Sequence, residues 1–380
     1  MPSFYEFFAG GGMARLGLGS GWSCVYANDI DPAKGASYDA NHRGKAFKLK
    51  DILEVGADEL PGVADLMWGS FPCQDLSRAG ARAGLKGERS GTFYAFWAII
   101  EALARQDRAP RIVALENVCG TLTSRGGHDF AAICETFSAF GYRYGALIIN
   151  ANLFVPQSRP RLFMIGVRKD VAIAPELLAS GPEAPFHADE LRRAMIKVSD
   201  EARANAVWWR LPLPAKRRGR FADMIENEPN GVAWHSVAQT QRLLSLMTPM
   251  HRAKIAAAQR TGRREVGGIY RRTRVNASGA KVQRAEVRFD DMAGCLRTPA
   301  GGSSRQTVMV VEGSRIRSRL ISARETARLM GLPDSYVLPT RYNEAYHLTG
   351  DGVVAPVVRH LAAHLLEPLL GVAKRDRAAA

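Results

Sequence analysis

Cys73 stands in the segment Ser70-Phe71-Pro72-Cys73-Gln74, directly after the apolar, strand-like run Ala64–Gly69. A cysteine outside a disulfide is ordinarily a small buried hydrophobe. This one follows a strand end and a proline in a loop flanked by Gly and Ser, which is where an α/β sheet places its chemistry. A thiol of ordinary pKa, ~8.5, is only a few per cent thiolate near neutral pH. A nucleophilic role needs that fraction raised, or the proton taken during attack. A second candidate lies at the start of the chain. Phe4–Ala9 leads into Gly10, Gly11 and Gly12 and then a helix-like MARLGLG. Glycines between a first strand and its helix let a ligand approach the backbone closely. The next strand-like run ends in Asn28-Asp29-Ile30, about twenty residues on, where an acid can accept hydrogen bonds from ribose hydroxyls. The same aspartate is equally suited to cap a helix ahead of Pro32. Asp51, after a third apolar stretch, either reaches an adenine amino group or is a surface turn residue.

Elements of alternating type must position these groups. Strand-like runs occur at Phe4–Ala9, Cys24–Asn28, Asp65–Gly69, Arg111–Glu116, Tyr144–Asn150 and Arg161–Val167, with amphipathic stretches such as Thr92–Arg105 and Asp129–Phe140 between them. This alternation predicts an α/β fold with a mainly parallel sheet covered by helices and ligands bound beyond the carboxyl ends of its strands. From about residue 171 the rhythm fails. Pro and Gly become frequent, as in Gly181–Pro185 and Leu211–Pro214, and basic clusters appear at Lys216–Arg218, Arg263–Arg264 and Arg271–Arg274. Short strand-like pieces, Ala285–Phe289 and Thr307–Val311, lie among them. A second domain of irregular α+β character is expected there. Helical patterning returns at Ala323–Met330 and Val353–Leu370.

The net charge of +15 is concentrated: residues 201–320 hold 23 Lys+Arg against 9 Asp+Glu, and the rest of the chain 29 against 28. Such a segment is either a solvated basic face or a surface that meets phosphates. With 46% hydrophobic residues, a sizeable core is available and global disorder is excluded. No apolar run approaches the roughly 18 residues of a membrane span. Met1–Phe8 lacks a basic region followed by an apolar run, so no signal peptide and a cytoplasmic location are expected. The five cysteines, Cys24, Cys73, Cys119, Cys134 and Cys295, form no CxxC pair, so neither a zinc site nor a disulfide framework is expected.

FAGGG, GSFPCQDLS, ALENV, QSRPR and GDGVV follow one another along the chain, with ARETARLMGLPDSY before the last. In that order the set resembles the DNA (cytosine-5)-methyltransferases of bacterial type, and it spans nearly the whole chain outside about 171–290. The resemblance implies a Rossmann-like S-adenosylmethionine-dependent methyltransferase domain (1–170 plus 345–380) and a smaller α+β target-recognition domain (171–344). It implies methyl transfer to C5 of a cytosine flipped out of double-stranded DNA. Cys73 would attack C6 of the ring, and Glu116, matching the ENV glutamate, would hydrogen-bond near N3. Arg161 would donate to O2 and Arg159 would steady the catalytic loop; their i, i+2 spacing points both the same way in an extended segment. S-Adenosyl-L-methionine, leaving as S-adenosyl-L-homocysteine, would be held by Phe8, Ala9, Gly10, Gly12, Asp29, Ile30, Asp51, Ile52, Pro72, Asp351, Gly352 and Val353. Gln74, Ser77, Arg89, Arg271, Arg272 and Arg274 would line the pocket or meet DNA, with the Gly-rich basic stretch Arg78–Gly91 acting as a closing lid. No metal is expected. The implied partners are duplex DNA and a restriction endonuclease acting on the same site. The protein would be a nucleoid-associated monomer that does not enter membranes.

The sequence departs from the family pattern at three places. Met13 stands at the last glycine of FxGxGG, Glu6 replaces the usual Asp, and Asp351 replaces the Asn of GNxV, losing an amide donor. Two other readings compete. An RNA cytosine methyltransferase shares the core but has a minimal recognition region, unlike the long basic segment here. A degenerate relative that only binds DNA would not need Cys73, Glu116, Arg159 and Arg161 intact. Amino-group methyltransferases use [DNS]PP[YFW] where this chain has FPCQ.

Overall fold

The computed structural model describes residues 1–71, 91–275, 279–297 and 305–371. It divides into two compact units, one of residues 1–150, 160–214 and the chain from Val353 onward, the other of residues 151–159 and 215–352.

In the first unit, seven strands among the described residues form one sheet: β1 (Ser3–Phe7), β2 (Ser23–Asp29), β3 (Phe47–Leu49), β4 (Leu66–Gly69), β5 (Ile112–Val118), β6 (Tyr142–Asn150) and β7 (Pro160–Arg168). Their order is β3-β2-β1-β4-β5-β7-β6. The first five are parallel, and β7 then pairs antiparallel with both β5 and β6. β4 and β5 are wholly apolar for most of their length because helices cover both faces of such a sheet. The helices are α1 (Met13–Leu18), α2 (Pro32–Asn41), α3 (Gly91–Arg105) and α4 (His128–Ala139). α3 buries Phe93, Phe96, Trp97, Ile100 and Leu103, a stripe at helical spacing that closes on Phe7, Phe71 and Phe137. The C-terminal helix Ala355–Leu361 packs on α1, where a Cβ at Gly17 would stand 2.5 Å from Val358. The expected division at residue 170 is displaced to Pro214. The short antiparallel pair β8 (Leu178–Ala179) and β9 (Trp208–Trp209) belongs to this sheet's surroundings, with the buried Trp209 donating to the Ile165 carbonyl at 3.2 Å.

The second unit is built on an antiparallel sheet in the order β11-β10-β12-β13, from β10 (Arg264–Val275), β11 (Lys281–Arg288), β12 (Thr307–Glu312) and β13 (Arg315–Leu320). Ile269, Ala285, Val287, Met309 and Val311 line one face, covered by α5 (Val237–Ser245) and α6 (Pro249–Arg260) through Leu243, Ile255 and Ala258, with Met247 from the turn between them. β11 and β12 overlap the strand-like pieces Ala285–Phe289 and Thr307–Val311, whereas β10 spans the basic clusters at Arg264 and Arg271–Arg274, where the charged second half conceals the apolar first half as a strand signal. Helices α7 (Ala323–Leu329) and α8 (Tyr342–Asp351) complete the unit.

Each unit carries a buried ionisable group whose energetics are legible. In the second, Arg319 and Glu325 are both fully buried and meet in a fork, Nη1 to Oε2 at 2.8 Å and Nη2 to Oε1 at 2.5 Å. Glu325 also accepts the backbone N–H groups of Ser322 and Glu226, both at 2.7 Å, and Ser322 returns a bond to the Glu325 N–H, closing the N-terminus of α7. Both oxygens of Glu325 are thereby saturated, while Arg319 Nε is buried without a hydrogen-bond partner. This is the physical content of the ARETARLMGLPDSY segment. In the first unit, Glu6 lies buried beneath the glycine turn, accepting the Arg15 N–H and the Tyr38 hydroxyl, both at 3.3 Å. Burial pushes its carboxyl up to about 8. His42, whose Nε2 lies 3.0 Å from the Gly12 carbonyl, is pushed down to about 4 by burial and then by Arg15.

Two predictions follow from these groups. Glu325→Ala leaves Arg319 uncompensated and costs about 3–5 kcal/mol, measurable as a lowered denaturant midpoint. Folding takes up a proton at Glu6 between its ordinary 4.5 and about 8, and gives one up at His42 between 6.5 and about 4. His187 and His360, also pushed down by burial, act in the same sense as His42. Between pH 4.5 and 6.5 the Glu6 and His42 linkages oppose each other, and from 6.5 to about 8 that of Glu6 alone of the two remains, lowering stability by up to about 1.4 kcal/mol per pH unit as pH rises. In Glu6→Gln the falling limb between pH 6.5 and 8 flattens in chemical denaturation; an unchanged slope refutes the assignment.

Candidate active site

At the carboxyl end of β1 the chain turns through positive φ at Phe8 (56°), Gly10 (55°) and Gly12 (80°). Only glycine takes such angles without strain. At Gly10 nothing stands within 4 Å of a Cβ position, so the backbone is open to a ligand, whereas at Gly12 a Cβ would meet the His42 ring at 2.3 Å. The turn is pinned by Asp29, which accepts the Gly10 N–H at 2.8 Å and the Asp31 N–H at 2.9 Å. Ala9 donates to the Asn28 carbonyl at 2.9 Å. Asp31, not Asp29, caps α2, accepting from Ala33 and Lys34. Asp29 is thus left to the turn. Beside it Ile30 is 65% exposed, presenting an apolar side chain to solvent. Asn28 donates to the Lys50 carbonyl, and Lys50 to the Asp29 carbonyl, drawing in the Asp51 turn. Asp51 accepts the Leu53 N–H at 3.0 Å, and Ile52 is buried. Phe8, Ala9, Gly10, Gly12, Asp29, Ile30, Asp51 and Ile52 therefore form one neighbourhood at one end of the sheet.

The next strand ends are adjacent. β4 and β5 pair in register from Leu66↔Ile112 to Gly69↔Leu115. A Cβ at Gly69 would approach Phe96 to 2.8 Å, so glycine lets α3 close on the sheet there. Beyond it Phe71 is buried against Phe93, and its carbonyl accepts from Asn117 Nδ2 at 3.3 Å. Asn117 thus ties the segment leading to Cys73 to the end of β5. The sequence reading quoted it only as part of ENV; its position beside the candidate acid was the available signal. Pro72, Cys73, Gln74, Ser77 and Arg89 lie outside the described residues.

Glu116 is two residues from the end of β5. In the antiparallel ladder with β7, Glu116 faces Phe163 and Val118 faces Arg161, so Glu116 and Arg161 are diagonal neighbours on one face. Arg161 Nε lies 3.1 Å from Glu116 Oε1, with the two side chains 14% and 7% exposed. Arg161 also donates to the Pro160 carbonyl at 2.9 Å. A carboxylate and a fork of donors, both mostly desolvated, thus stand together beside the strand that leads to Cys73. A carboxyl group and a guanidinium side by side can bind the hydrogen-bonding edge of a planar heterocycle.

Arg159 does not share Arg161's partners. It is 1% exposed and belongs to the second unit, where it donates to the carbonyls of Leu296 (3.0 Å), Gly350 (2.8 Å) and Gly352 (2.7 Å). It holds the turn in which Asp351 ends α8 and Gly352 caps it, ahead of Val353. Gln157 is likewise buried, donating to the Leu329 carbonyl at 2.8 Å and accepting the Leu296 N–H at 3.2 Å. Sequence reading gave Gln157 no role; the motif's polar spacing alone does not tell a substrate contact from a buried clamp. Arg271, Arg272 and Arg274 are exposed on β10 of the second unit.

The family model of the C-5 cytosine-specific DNA methylases matches residues 3–367. Among curated proteins, the Type II methyltransferase M.FnuDI of Fusobacterium nucleatum is 27% identical over 374 residues, covering 96% of this chain and 94% of that protein. The Type II methyltransferase M.HhaI of Haemophilus parahaemolyticus is 25% identical over 365 residues, with 94% and 92% covered. Among solved structures, the Entamoeba histolytica methyltransferase EhMeth has a TM-score of 0.63 at 12% identity, over 98% of both chains. The S. pombe Dnmt2 methyltransferase has a TM-score of 0.55 at 19% identity, over 97% of this chain and 99% of that one. At these identities the structural likenesses speak to the fold, and they agree with the parallel sheet described above. The family match runs from the first strand through the C-terminal helix, and the chain accordingly belongs to the C-5 cytosine-specific DNA methylases, enzymes that methylate cytosine in DNA.

Proposed function

We propose that this enzyme transfers the methyl group of S-adenosyl-L-methionine to C5 of a cytosine extruded from duplex DNA, through a transient bond between Cys73 and C6. The observation that carries the proposal is the Glu116–Arg161 pair at 3.1 Å, one strand over from the chain that leads into Cys73. Cytosine presents N3 and O2 side by side. Glu116, carrying a proton shared with N3, and Arg161, donating to O2, recognise that edge and draw charge from the ring. C6 then becomes electrophilic enough for the Cys73 thiolate to add. The electron pair moves toward C5, which becomes enamine-like and takes the methyl group. Loss of the C5 proton then expels the thiolate and restores the ring. Extruding the base costs on the order of a few kcal/mol, offset by these contacts.

The glycine turn fits an adenosyl group. Open space at Gly10 admits a ligand against the backbone, the Asp29 carboxylate has remaining lone pairs for ribose hydroxyls, and exposed Ile30 offers an apolar face to a purine. Phe8, Ala9, Gly10, Gly12, Asp29, Ile30, Asp51 and Ile52 would hold it. When bound, S-adenosylmethionine supplies an electrophilic methyl group on its sulfonium sulfur. Arg159 acts in this reading as a positioning residue, through the Gly350–Gly352 turn. The Type II names of the relatives suggest a restriction endonuclease cutting the same site as a partner.

Cys73→Ala abolishes methyl transfer while duplex binding in a filter assay persists. With the unaltered enzyme, 5-fluorocytosine at the target accumulates a covalent adduct, because fluorine cannot leave C5 as a proton; no adduct at a verified site rules out attack at C6. Arg161→Lys keeps the charge but loses the Nε donor, and lowers kcat roughly 10²–10³-fold with little change in duplex affinity. Equal loss in affinity would mean that Arg161 serves binding alone.

A further inference from the structure

β12 accompanies β10 as far as Ile269↔Thr307 among the described residues, whereas β11 stays paired with β10 out to Val275↔Lys281. The outer half is therefore a two-stranded ribbon whose residues 271–275 are exposed. The register puts Tyr270, Arg272 and Arg274 on one face with Glu286, Arg284 and Val282, and Arg271, Thr273 and Val275 on the other. On the first face a single carboxylate organises two guanidinium groups. Glu286 Oε1 accepts from Arg274 Nε at 2.7 Å and Nη2 at 2.5 Å. Its Oε2 lies 3.6 Å from Arg272 Nε, and the Arg272 guanidinium lies over the Tyr270 ring at 5.7 Å. An exposed ion pair of this kind adds little to stability, and it lowers the ribbon's attraction for phosphates. What it does supply is orientation. Engaged by Glu286 through Nε and Nη2, Arg274 retains the Nη1 hydrogens and the second Nη2 hydrogen as donors, a fork matching the O6 and N7 acceptors that guanine displays in the major groove. That groove is wide enough to admit a two-stranded ribbon.

We propose that Arg274 reads a guanine of the target site and that Glu286 is the positioning residue that orients it. The inference rests on the duplex-DNA reading above. It separates base recognition from phosphate contact within a segment where charge alone does not distinguish them.

The test begins with the sequence context methylated by the unaltered enzyme, read by bisulfite sequencing of a random-sequence duplex pool. Binding is then measured on that site with each guanine replaced in turn by 7-deazaguanine, which lacks the N7 acceptor. The unaltered enzyme should lose roughly 5- to 150-fold at one guanine, the span of one bidentate contact. Arg274→Ala should abolish the penalty at that guanine, and Arg274→Lys, which keeps a donor but not the planar fork, should shrink it. Neither variant should change the slope of log affinity against log salt, whereas a fall of about one in Arg274→Ala would mark a phosphate contact and overturn the assignment. Glu286→Gln should shrink the penalty while tightening binding to unrelated duplex, since one negative charge is gone. Thermal melts matching the parent exclude misfolding of these exposed variants. A full penalty at every guanine in the Arg274 variants, an unchanged penalty in Glu286→Gln, or a methylated site without guanine overturns the proposal while leaving the duplex-DNA reading intact. Failure of the unaltered enzyme to methylate any duplex sinks that reading, and this inference with it.

Discussion

Arg161 reaches Glu116 because β7 runs antiparallel to β5, in register, at the place where a parallel sheet would otherwise continue. In an antiparallel ladder, diagonal residues on one face come within reach of long side chains. Reversing the strand brings the start of β7 to the carboxyl end of β5. The charged end of QSRPR thereby arrives at the end of ENV. Were β7 parallel, its first residues would lie at the amino end of β5 instead. The carboxylate would then be desolvated without a partner, at a cost of several kcal/mol. The pairing of a desolvated acid with a desolvated fork is thus a consequence of topology, and the rest of the first unit serves to keep that edge rigid.

That rigidity is built by satisfying buried polar groups rather than by avoiding them. Asp29 uses both oxygens on the turn that follows β1, Asn117 ties the chain beyond β4 to β5, and Glu6 sits under the turn with two donors. Each polar group is held at the carboxyl ends of parallel strands, where loops can be shaped without disturbing the sheet. The lengthening from Asp to Glu at position 6 is accommodated by Arg15 and Tyr38 beneath the glycines. Met13, standing where another glycine is usual, begins α1 and is buried, so its backbone needs no glycine.

The second unit solves a different problem: it presents cations without collapsing around them. Its core is small, one sheet face against two helices, and its fully buried Arg319–Glu325 fork is satisfied by the backbone of the loop before α7 and of the chain near Glu226. Buried pairs contribute little net stability but strongly disfavour arrangements that separate them. The ribbon beyond Ile269 is released from that core, which is why its side chains are available for contacts that a packed strand could not make.

Much of this molecule was readable from residue order. Period and apolar runs located six of the seven strands of the main sheet and three of its flanking helices, α1, α3 and α4, because strands buried on both faces must be continuously apolar. The glycine turn, Asp29 and the return of the C-terminal helix were legible because positive φ, acid placement and helical spacing leave local marks. The charge asymmetry located the basic unit. β3 escaped notice as a three-residue edge strand, and β10 because half of it carries charge that burial never selects against. What no local pattern encoded was which strand lies beside which. The reversal of β7, the parting of Arg159 from Arg161 into different units, the clamp made by Gln157, and the bond from Asn117 to Phe71 all depend on contacts between residues distant in the chain. Side-chain type states what a residue is able to do. The packing of strands decides which partner it meets, and so whether an arginine at a strand edge becomes a donor to the acid or a brace for a turn.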